Sequence, residues 1–324
     1  MQSRSMPNPP KHSRPKQPSR QAARYDPQRG AASPEMIPLV EVGWIIKALA
    51  AVLVVAFLCA YATICVLFSH TQWQLVLHPS RTVATTPVSL NLLFTEVHFG
   101  VDNTGQPQLD GWFIPSGNPT DNSTNTALLL HSGDGSMVDA LPSARTLHDA
   151  HLNVLLFDYR GYGHSAGQHP TQASMQSDAA TALTYLTTTR SLPTSSIVVY
   201  GTGVGASLAV HLCADHRDLP ALILQSPDGD FESRVRQDPR AKLVPVSLLF
   251  DQNFPLADPL HTLTTPKLLI STEERSGQEK LRQASDPKMI VTLGLMANED
   301  IASLMTRFLD AYIHRLPAPS PPNP

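Results

Sequence analysis

Residues 197–212 read IVVYGTGVGASLAVHL. A short apolar run comes first, glycines follow at every second position, and a second apolar run has helical composition. A brief apolar run that ends in glycine is typical of a strand buried on both faces of a parallel sheet. The glycines permit a sharp turn directly into a helix. This stretch therefore predicts a strand, a tight turn and a helix.

The same alternation extends to both sides of this stretch. Two runs, LNLLFTEVHFG and LDGWFIP, predict a pair of antiparallel strands near the start of the domain. Helical patterns such as MQSDAATALTYLTTT separate the later apolar runs. Strands and helices in alternation predict an α/β fold with a mostly parallel, doubly wound sheet and helices on both faces. The remaining predicted strands lie in TALLLHSG, LNVLLFDYRG, ALILQSP, PKLLIST and KMIVTLG.

In open parallel sheets, ligands bind beyond the carboxyl ends of the strands. The first parallel strand ends in a small, glycine-rich loop, which lets backbone N–H groups face a pocket as an oxyanion site requires. The same residue types also suit a tight turn with no binding role, and both interpretations stay open. The pocket positions of this hypothesis are His131, Ser132, Gly133, Asp134 and Val204.

The next strand runs into DYRGYGHSAG, residues 158–167. This string resembles one found in the α/β-hydrolase superfamily, in particular in membrane-anchored serine hydrolases of the lipase, thioesterase and serine aminopeptidase kind. The glycines permit a tight loop, and Asp158 and Arg160 are predicted to pair within it. No catalytic role is expected for these residues.

The resemblance implies a nucleophile elbow, a strand followed by G-x-S-x-G and a helix. Gly201 and Gly205 match its flanking glycines, but Gly203 occupies the serine position. Glycine has no side chain, so no acyl-enzyme forms there. Thr202 is expected to point away from the pocket and Ser207 to lie inside the helix, so neither is the expected nucleophile.

The other two triad positions also depart from the family pattern. Glu274 is the candidate acid, with a register uncertainty of one residue and a solvated charged loop as the alternative. Ala297 occupies the histidine position, and His314 is too far along the final helix to serve instead. Without a histidine, acyl transfer has no proton shuttle. The resemblance therefore implies a degenerate triad.

Two other site types fit the sequence less well. Residues 201–206 match the dinucleotide pattern G-x-G-x-x-A, but the next strand ends in Gln225 rather than in a ribose-binding acid. No cofactor is expected. Scattered histidines lack metal-ligand spacing, so no metal site is expected either. These histidines are His164, His169, His211 and His216.

The 29 prolines crowd the two ends of the chain. Residues 1–40 form a basic, proline-rich tail and residues 316–324 a second proline-rich tail, both predicted to be disordered. The formal net charge of −3 gives no reason to expect nucleic-acid binding. Three cysteines support neither a disulfide framework nor a zinc site, so the compartment stays undecided.

Residues 43–69 predict a transmembrane helix, with no charged residue from position 48 to 69. Trp44 and Trp73 are predicted to lie at interfacial depth on either side of it. A cleaved signal peptide is the alternative, but no A-x-A cleavage pattern follows. The positive-inside rule then places the tail in the cytoplasm and the domain outside, in the periplasm if the source is bacterial. In a eukaryotic lumen, the glycosylation motif at Asn122 would be relevant.

Residues 88–315 are predicted to form the α/β-hydrolase domain, with a small cap at about 227–260 that selects ligands. Two functions from different classes remain. The first is a non-catalytic binding or scaffolding module that is tethered to the lipid bilayer and takes an unidentified small-molecule or protein ligand. The second is an active hydrolase of acyl ester, thioester or peptide-like bonds with relocated catalytic groups.

Overall fold

A computed structural model describes residues 42–117, 125–271, 281–292 and 301–313. The strands within those ranges are short, and the central ones are wholly apolar or nearly so. They are β1 (His78–Pro79), β2 (Thr95–Val101), β3 (Pro107–Ile114), β4 (Thr126–Leu130), β5 (Asp134–Gly135), β6 (Asn153–Phe157), β7 (Ile197–Gly203), β8 (Ala221–Pro227), β9 (Lys267–Ser271) and β10 (Lys288–Thr292).

Eight of these strands form one sheet in the order β10-β9-β8-β7-β4-β6-β3-β2. The strands from β10 to β6 are parallel to their neighbours, whereas β3 is antiparallel to both β6 and β2. The predicted antiparallel pair and parallel sheet are therefore confirmed. The short strands β1 and β5 pair separately, in parallel.

Helices cover both faces of the sheet. The α-helices of the described residues are α1 (Val42–Thr71), which precedes the sheet, α2 (Leu141–Asp149), α3 (Gln172–Thr184), α4 (Gly205–Asp215), α5 (Glu232–Val235), α6 (Val246–Leu249), α7 (Ala257–Thr262) and α8 (Ile301–Tyr312). Alternate residues of β4 enter two different apolar clusters: Leu128 and Leu130 join the one that holds α3 and α4, Ala127 and Leu129 the one that holds α2 and α8. Side chains that alternate in this way place one layer of helices on each face of the sheet.

The segment between β8 and β9 contains α5, α6 and α7. It is held against the start of α3 by reciprocal hydrogen bonds: the Gln172 amide N–H donates to Gln252 Oε1 at 2.6 Å, and the Phe254 N–H donates to Gln172 Oε1 at 2.7 Å. Phe254 is fully buried. This segment, called the cap below, is thus fixed on the helix layer that also carries α4.

The chain divides into two compact units, residues 1–57 and 58–324. In the first unit, the described part of α1 exposes nearly all of its apolar side chains. Helix α1 as a whole is long and apolar enough to cross a membrane. In the second unit, Phe68 in the last turns of α1 is buried in the cluster that holds α3 and α4.

The interfacial depth expected of Trp73 stays a prediction, and the structure gives the packing of this residue. This residue lies in a short 3₁₀ helix, Gln72–Leu75, and its indole stacks on the His169 ring at 5.3 Å between centroids. It packs against the domain core because α1 enters the domain directly. Trp73 is therefore part of the domain.

Candidate functional site

The turn from β7 into α4 carries the candidate site. β7 lies between β4 and β8 and ends at Gly203, whose φ of +57° is a left-handed conformation that favours glycine. A Cβ added to Gly201 would lie 2.6 Å from the carbonyl oxygen of Gly205 and 2.7 Å from the Cα of Ala206. The strand and the helix are therefore in direct backbone contact, as the glycine spacing predicts.

The space beside Gly203 is occupied by the loop that follows β4. A Cβ added to Gly203 would lie 2.8 Å from the Cβ and 3.3 Å from the Cα of Ser132. Real Cβ atoms do not approach other carbon atoms this closely, so any side chain at position 203 requires the loop to move. With the loop in this position, the turn leaves no room for a side chain at position 203.

Thr202 and Ser207 are the hydroxyl residues nearest to Gly203 in the sequence of β7 and α4. Ser207 is fully buried, and its hydroxyl donates a hydrogen bond to the carbonyl oxygen of Pro255 in the cap at 2.7 Å. Thr202 lies within β7, paired with Gln225 of β8. The Ser207 hydroxyl therefore helps to fix the cap and is withdrawn from solvent.

The loop after β4 is held by two tyrosines of the DYRGYGHSAG string. The Tyr159 hydroxyl donates to the carbonyl oxygen of His131 at 3.2 Å, and the Tyr162 hydroxyl donates to that of Gly133 at 2.9 Å. Both tyrosines are fully buried. The role of this string is consequently to fix the loop that closes the candidate site.

The predicted pairing of Asp158 with Arg160 is wrong. The Arg160 guanidinium binds Asp178 of α3, with Nε 2.6 Å from Oδ1. The Asp158 side chain instead turns inward, where its Oδ1 accepts the Met137 amide N–H at 2.7 Å. The polypeptide reverses at this loop, so the two neighbouring side chains point to different layers of the molecule.

A buried histidine and carboxyl group lie behind the loop. His131 Nε2 is 3.6 Å from Asp158 Oδ1, and both side chains are almost completely inaccessible to solvent. Burial lowers the pKa of His131 to about 4, against the raising effect of its hydrogen bond to the Ser132 carbonyl. Burial also raises the pKa of Asp158 to about 7. Each group thus resists taking up a charge, and the pair is a feature of the interior.

A second histidine reaches the loop from the other side. His78 in β1 pairs with Asp134 in β5, with the His78 Nδ1 2.7 Å from the Asp134 Oδ1. The Ser132 hydroxyl donates to the backbone carbonyl of Asp134 at 3.2 Å. Sequence reasoning missed His78 because it is 56 residues from its partner and belongs to a two-residue strand without periodicity.

A cleft of about 330 Å³ opens beside this histidine. One wall comes from residues after α1, including Val76 and His78, and the opposite wall comes from the cap, including Phe231 and Arg234. The Arg234 guanidinium lies 4.1 Å from the Phe231 ring and binds the Asp228 carboxylate at 2.5 Å. The lining therefore combines a few apolar side chains with charged groups, including the carboxylates of Asp134, Asp228 and Asp238.

Several predicted site residues lie outside the described residues. They are Glu274 and Ala297, in the segments that follow the carboxyl ends of β9 and β10, together with His314. Within the described ranges, no group of three His, Cys, Asp or Glu side chains could hold a metal ion. Among the predicted pocket residues that do not adjoin Gly203 in sequence, Ser132 is the one that a Cβ at position 203 would contact, whereas Asp134 is exposed and His131 is buried.

Comparison with known proteins gives a family match. The family model for serine aminopeptidase, S33, matches residues 123–294, more than half of the chain. Protein bem46 of Schizosaccharomyces pombe is 33% identical over 149 residues, which are 45% of this chain and 48% of that protein. An uncharacterized protein of Mycobacterium tuberculosis is 34% identical over 184 residues, which are 56% of this chain and 62% of that protein. The chain thus spans about half to three fifths of the length of these curated relatives.

Solved structures show the same fold. The Pyrococcus furiosus esterase Pf2001 superimposes with a TM-score of 0.56 at 19% identity, over 73% of this chain and 100% of that one. An α/β-hydrolase from Vibrio vulnificus superimposes with a TM-score of 0.52 at 19% identity, over 71% of this chain and 86% of that one. At this identity the likeness concerns the fold alone.

Proposed function

The chain belongs to the serine aminopeptidase S33 family of α/β-hydrolases, and from this premise we propose that it is a member that binds a ligand without cleaving it. The family match and the fold show a hydrolase-related protein with the α/β-hydrolase fold. The loss of catalysis is the proposal. One observation carries it: the nucleophile position is a glycine, and Ser132 fills the space that a side chain there would need.

The position of the loop after β4 adds support to this proposal. A glycine at position 203 beside an open loop would leave a small hole that a neighbouring hydroxyl or water enters. Here the loop after β4 fills the space beside the turn, and two buried tyrosines hold the loop in that position. The backbone of the elbow is retained because the contact of β7 with α4 depends on its glycines. The turn therefore serves the fold.

The cleft supports a binding role. It lies between the segment after α1 and the cap, and its lining offers both apolar surface and charged groups. A ligand bound there would contact the His78 and Asp134 pair at the base and the Arg234 guanidinium at the cap. A ligand with an apolar body and a polar end fits this lining best.

Helix α1 supports a membrane tether as part of the proposal. Its 30 residues extend about 45 Å at 1.5 Å per residue, more than the roughly 30 Å of a bilayer core. The basic residues 1–40 then lie on the cytoplasmic side and the domain on the opposite side. A retained span is proposed rather than a cleaved signal, because the helix continues without interruption into the buried Phe68.

A second candidate function rests on Ser132, His78 and Asp134. Asp134 orients the His78 ring through Nδ1, which is how a triad acid holds its histidine. In that reaction the Ser132 oxygen would bond to an acyl carbonyl carbon while His78 Nε2 takes the hydroxyl proton and later returns it to the leaving group. Water would then release the acid from the acyl-serine. The Ser132 hydroxyl would first have to leave the Asp134 carbonyl to which it donates.

Labelling of the purified full chain with a fluorophosphonate probe separates these two functions. The binding proposal predicts no labelling and no hydrolysis of p-nitrophenyl esters above the buffer rate. Labelling that persists in Ser207→Ala and disappears in both Ser132→Ala and His78→Ala would overturn it in favour of the relocated hydrolase. Ser207→Ala is the matched control because its hydroxyl is buried against the cap.

A further inference from the structure

The cap exposes apolar side chains on its outer surface. In residues 242–250, Val244 and Val246 face the core, whereas Leu243 is 70% and Leu248 80% exposed. Pro245 and Lys242 are also exposed. Single exposed leucines are ordinary, but two on one short segment with a proline between them form an apolar surface that something else usually covers.

This surface lies next to the point where the membrane helix enters the domain. Gln72 directly follows α1, is buried, and accepts the Asp251 amide N–H on its Oε1 at 2.9 Å. Asp251 follows the apolar segment with only Phe250 between it and α6. The end of α1 and the end of the apolar segment are therefore joined by one hydrogen bond.

The last turn of α1 packs in the domain core. Phe68, one turn before the end of α1, is only 7% exposed because the domain core encloses it. The Gln72 side chain also donates back to the Ser69 carbonyl at 3.1 Å, which fixes the direction of the chain at the exit. Residues 58–71 of α1 and the cap therefore belong to one compact unit.

We propose that residues 242–250 of the cap are a membrane-contact surface, with Leu243 and Leu248 inserted into the interfacial layer of the lipid bilayer. Leucine beside a lysine is the composition that amphipathic interfacial segments use, because the apolar chain enters the acyl boundary while the ammonium stays among the headgroups. Between Asp238 and Asp251 the only charged residues are Arg240 and Lys242, so the segment itself is positive. The inference rests on the proposed membrane span and is independent of the loss of catalysis.

Spin-label accessibility of the full chain in phospholipid nanodiscs tests this surface. One nitroxide is placed at Leu248→Cys in a chain with Cys59→Ala and Cys65→Ala, where the fully buried Cys213 stays unlabelled because burial raises the pKa of its thiol. We expect oxygen to relax the label at 248 more effectively than a water-soluble nickel chelate does, as for a site in lipid. The matched control is Leu93→Cys in the same background, since Leu93 is 82% exposed and adjoins Leu92 in the cluster on the opposite face of the sheet. At that site the nickel chelate should be the more effective relaxant.

A third label separates failure of the contact surface from failure of the span. It is placed on the native Cys59 in a Cys65→Ala chain, within α1. If the label at 59 reports lipid and the label at 248 reports water, the cap does not touch the bilayer and the inference is overturned while the tether stands. If 59 itself reports water, both are overturned. A label at 248 that neither reagent reaches would show a protein covering this surface, such as a second copy of the chain, and would also overturn the inference.

Discussion

A side chain at position 203 would overlap with the space that Ser132 fills. Substitutions at the two positions can measure the free-energy cost of this overlap. Gly203→Ser would add a side chain whose Cβ lies 2.8 Å from the Ser132 Cβ, on a residue with φ of +57°. Left-handed strain and overpacking each cost about 1 to 3 kcal/mol. We expect the free energy of unfolding to fall by about 3 kcal/mol. Urea denaturation of the full chain, followed at the unit formed by residues 58–324, measures this change.

The double variant Gly203→Ser/Ser132→Gly tests the cause of that loss. Removing the Ser132 side chain should relieve the overpacking and leave the backbone strain, so a coupling of about 1 to 2 kcal/mol is expected in the cycle completed by Ser132→Gly alone. Additive effects of the two changes would contradict the close contact. Neither Gly203→Ser nor the double variant is expected to react with a fluorophosphonate. The predicted histidine position is Ala297, which supplies no proton acceptor.

Asp158 predicts a pH dependence of stability. Its pKa of about 7 in the folded protein is above the ordinary value of 3.8, so the folded state holds more protons than the unfolded state between these values. The stability that the neutral carboxyl contributes is present below pH 3.8 and is lost as the pH rises through 7. Asp158→Asn removes this titration. We therefore expect the melting temperature of the variant minus that of the wild type to increase between pH 4.5 and 7.5.

The neighbouring His131 titrates in the opposite sense and is common to both proteins. Its pKa of about 4 is below the ordinary 6.5, so it lowers stability as the pH falls through this range. Subtracting the wild-type melting temperature at each pH largely removes that contribution. A difference for Asp158→Asn that does not change with pH would contradict the raised pKa of this carboxyl.

At the scale of elements, the contact of α4 with β4 depends on a glycine at the start of the helix. A Cβ on Gly205 would lie 2.5 Å from the carbonyl oxygen of His131 and closer still to that of Leu130. These are backbone atoms of a central strand and cannot move aside. Gly205→Ala should therefore lower the free energy of unfolding by about 3 kcal/mol or more.

Gly117→Ala is the matched control for this prediction. A Cβ there would lie 3.4 Å from the His148 ring, an ordinary contact, and Gly117 does not have the left-handed conformation. Its effect should stay within about 0.5 kcal/mol, as for most surface changes. If both variants were equally stable by thermal denaturation, the close packing of α4 on β4 would be wrong.

These elements show how far the sequence determines the structure. The spacing of Gly201, Gly203 and Gly205 predicts the strand, turn and helix because only glycine allows the backbones to meet so closely. The apolar runs predict the parallel strands for the same local reason, since burial on both faces excludes polar side chains. Local chemistry was therefore enough for the fold, whereas the assignment of Gly203 to the nucleophile position stays a prediction.

Contacts between distant segments were not predictable in this way. Arg160 pairs with Asp178 of α3 rather than with Asp158, because α3 packs beside the loop. Asp178 lies 18 residues further along the chain than Arg160. His78 meets Asp134 through a pairing of two residues that has no periodic pattern. The contact of Ser132 with Gly203 depends on the position of the loop after β4 relative to β7. In each case the deciding distance is set by tertiary packing.

At the scale of the whole molecule, the last turns of α1 contribute to the stability of the domain. The core that covers α3 and α4 includes Phe68, and Gln72 holds the cap through Asp251. A spanning helix joined by a flexible linker would contribute nothing to domain folding. The last turns of α1 and the domain are expected to unfold together, so a substitution in these turns should change the stability of the domain.

Phe68→Ala in the full chain tests this coupling. Truncating a fully packed phenylalanine costs about 3 to 5 kcal/mol, because apolar contact is lost and a cavity remains. The matched control is Leu67→Ala, one position earlier on the same helix, where the side chain is 58% exposed. Thermal unfolding in detergent should show a clearly lower melting temperature for the domain in Phe68→Ala and almost none of this shift in Leu67→Ala. Equal melting temperatures for the two variants would mean that α1 is only a tether and that the domain folds without it. The position proposed for the membrane-contact surface of the cap would then lose its support, because it depends on the contact of α1 with the domain.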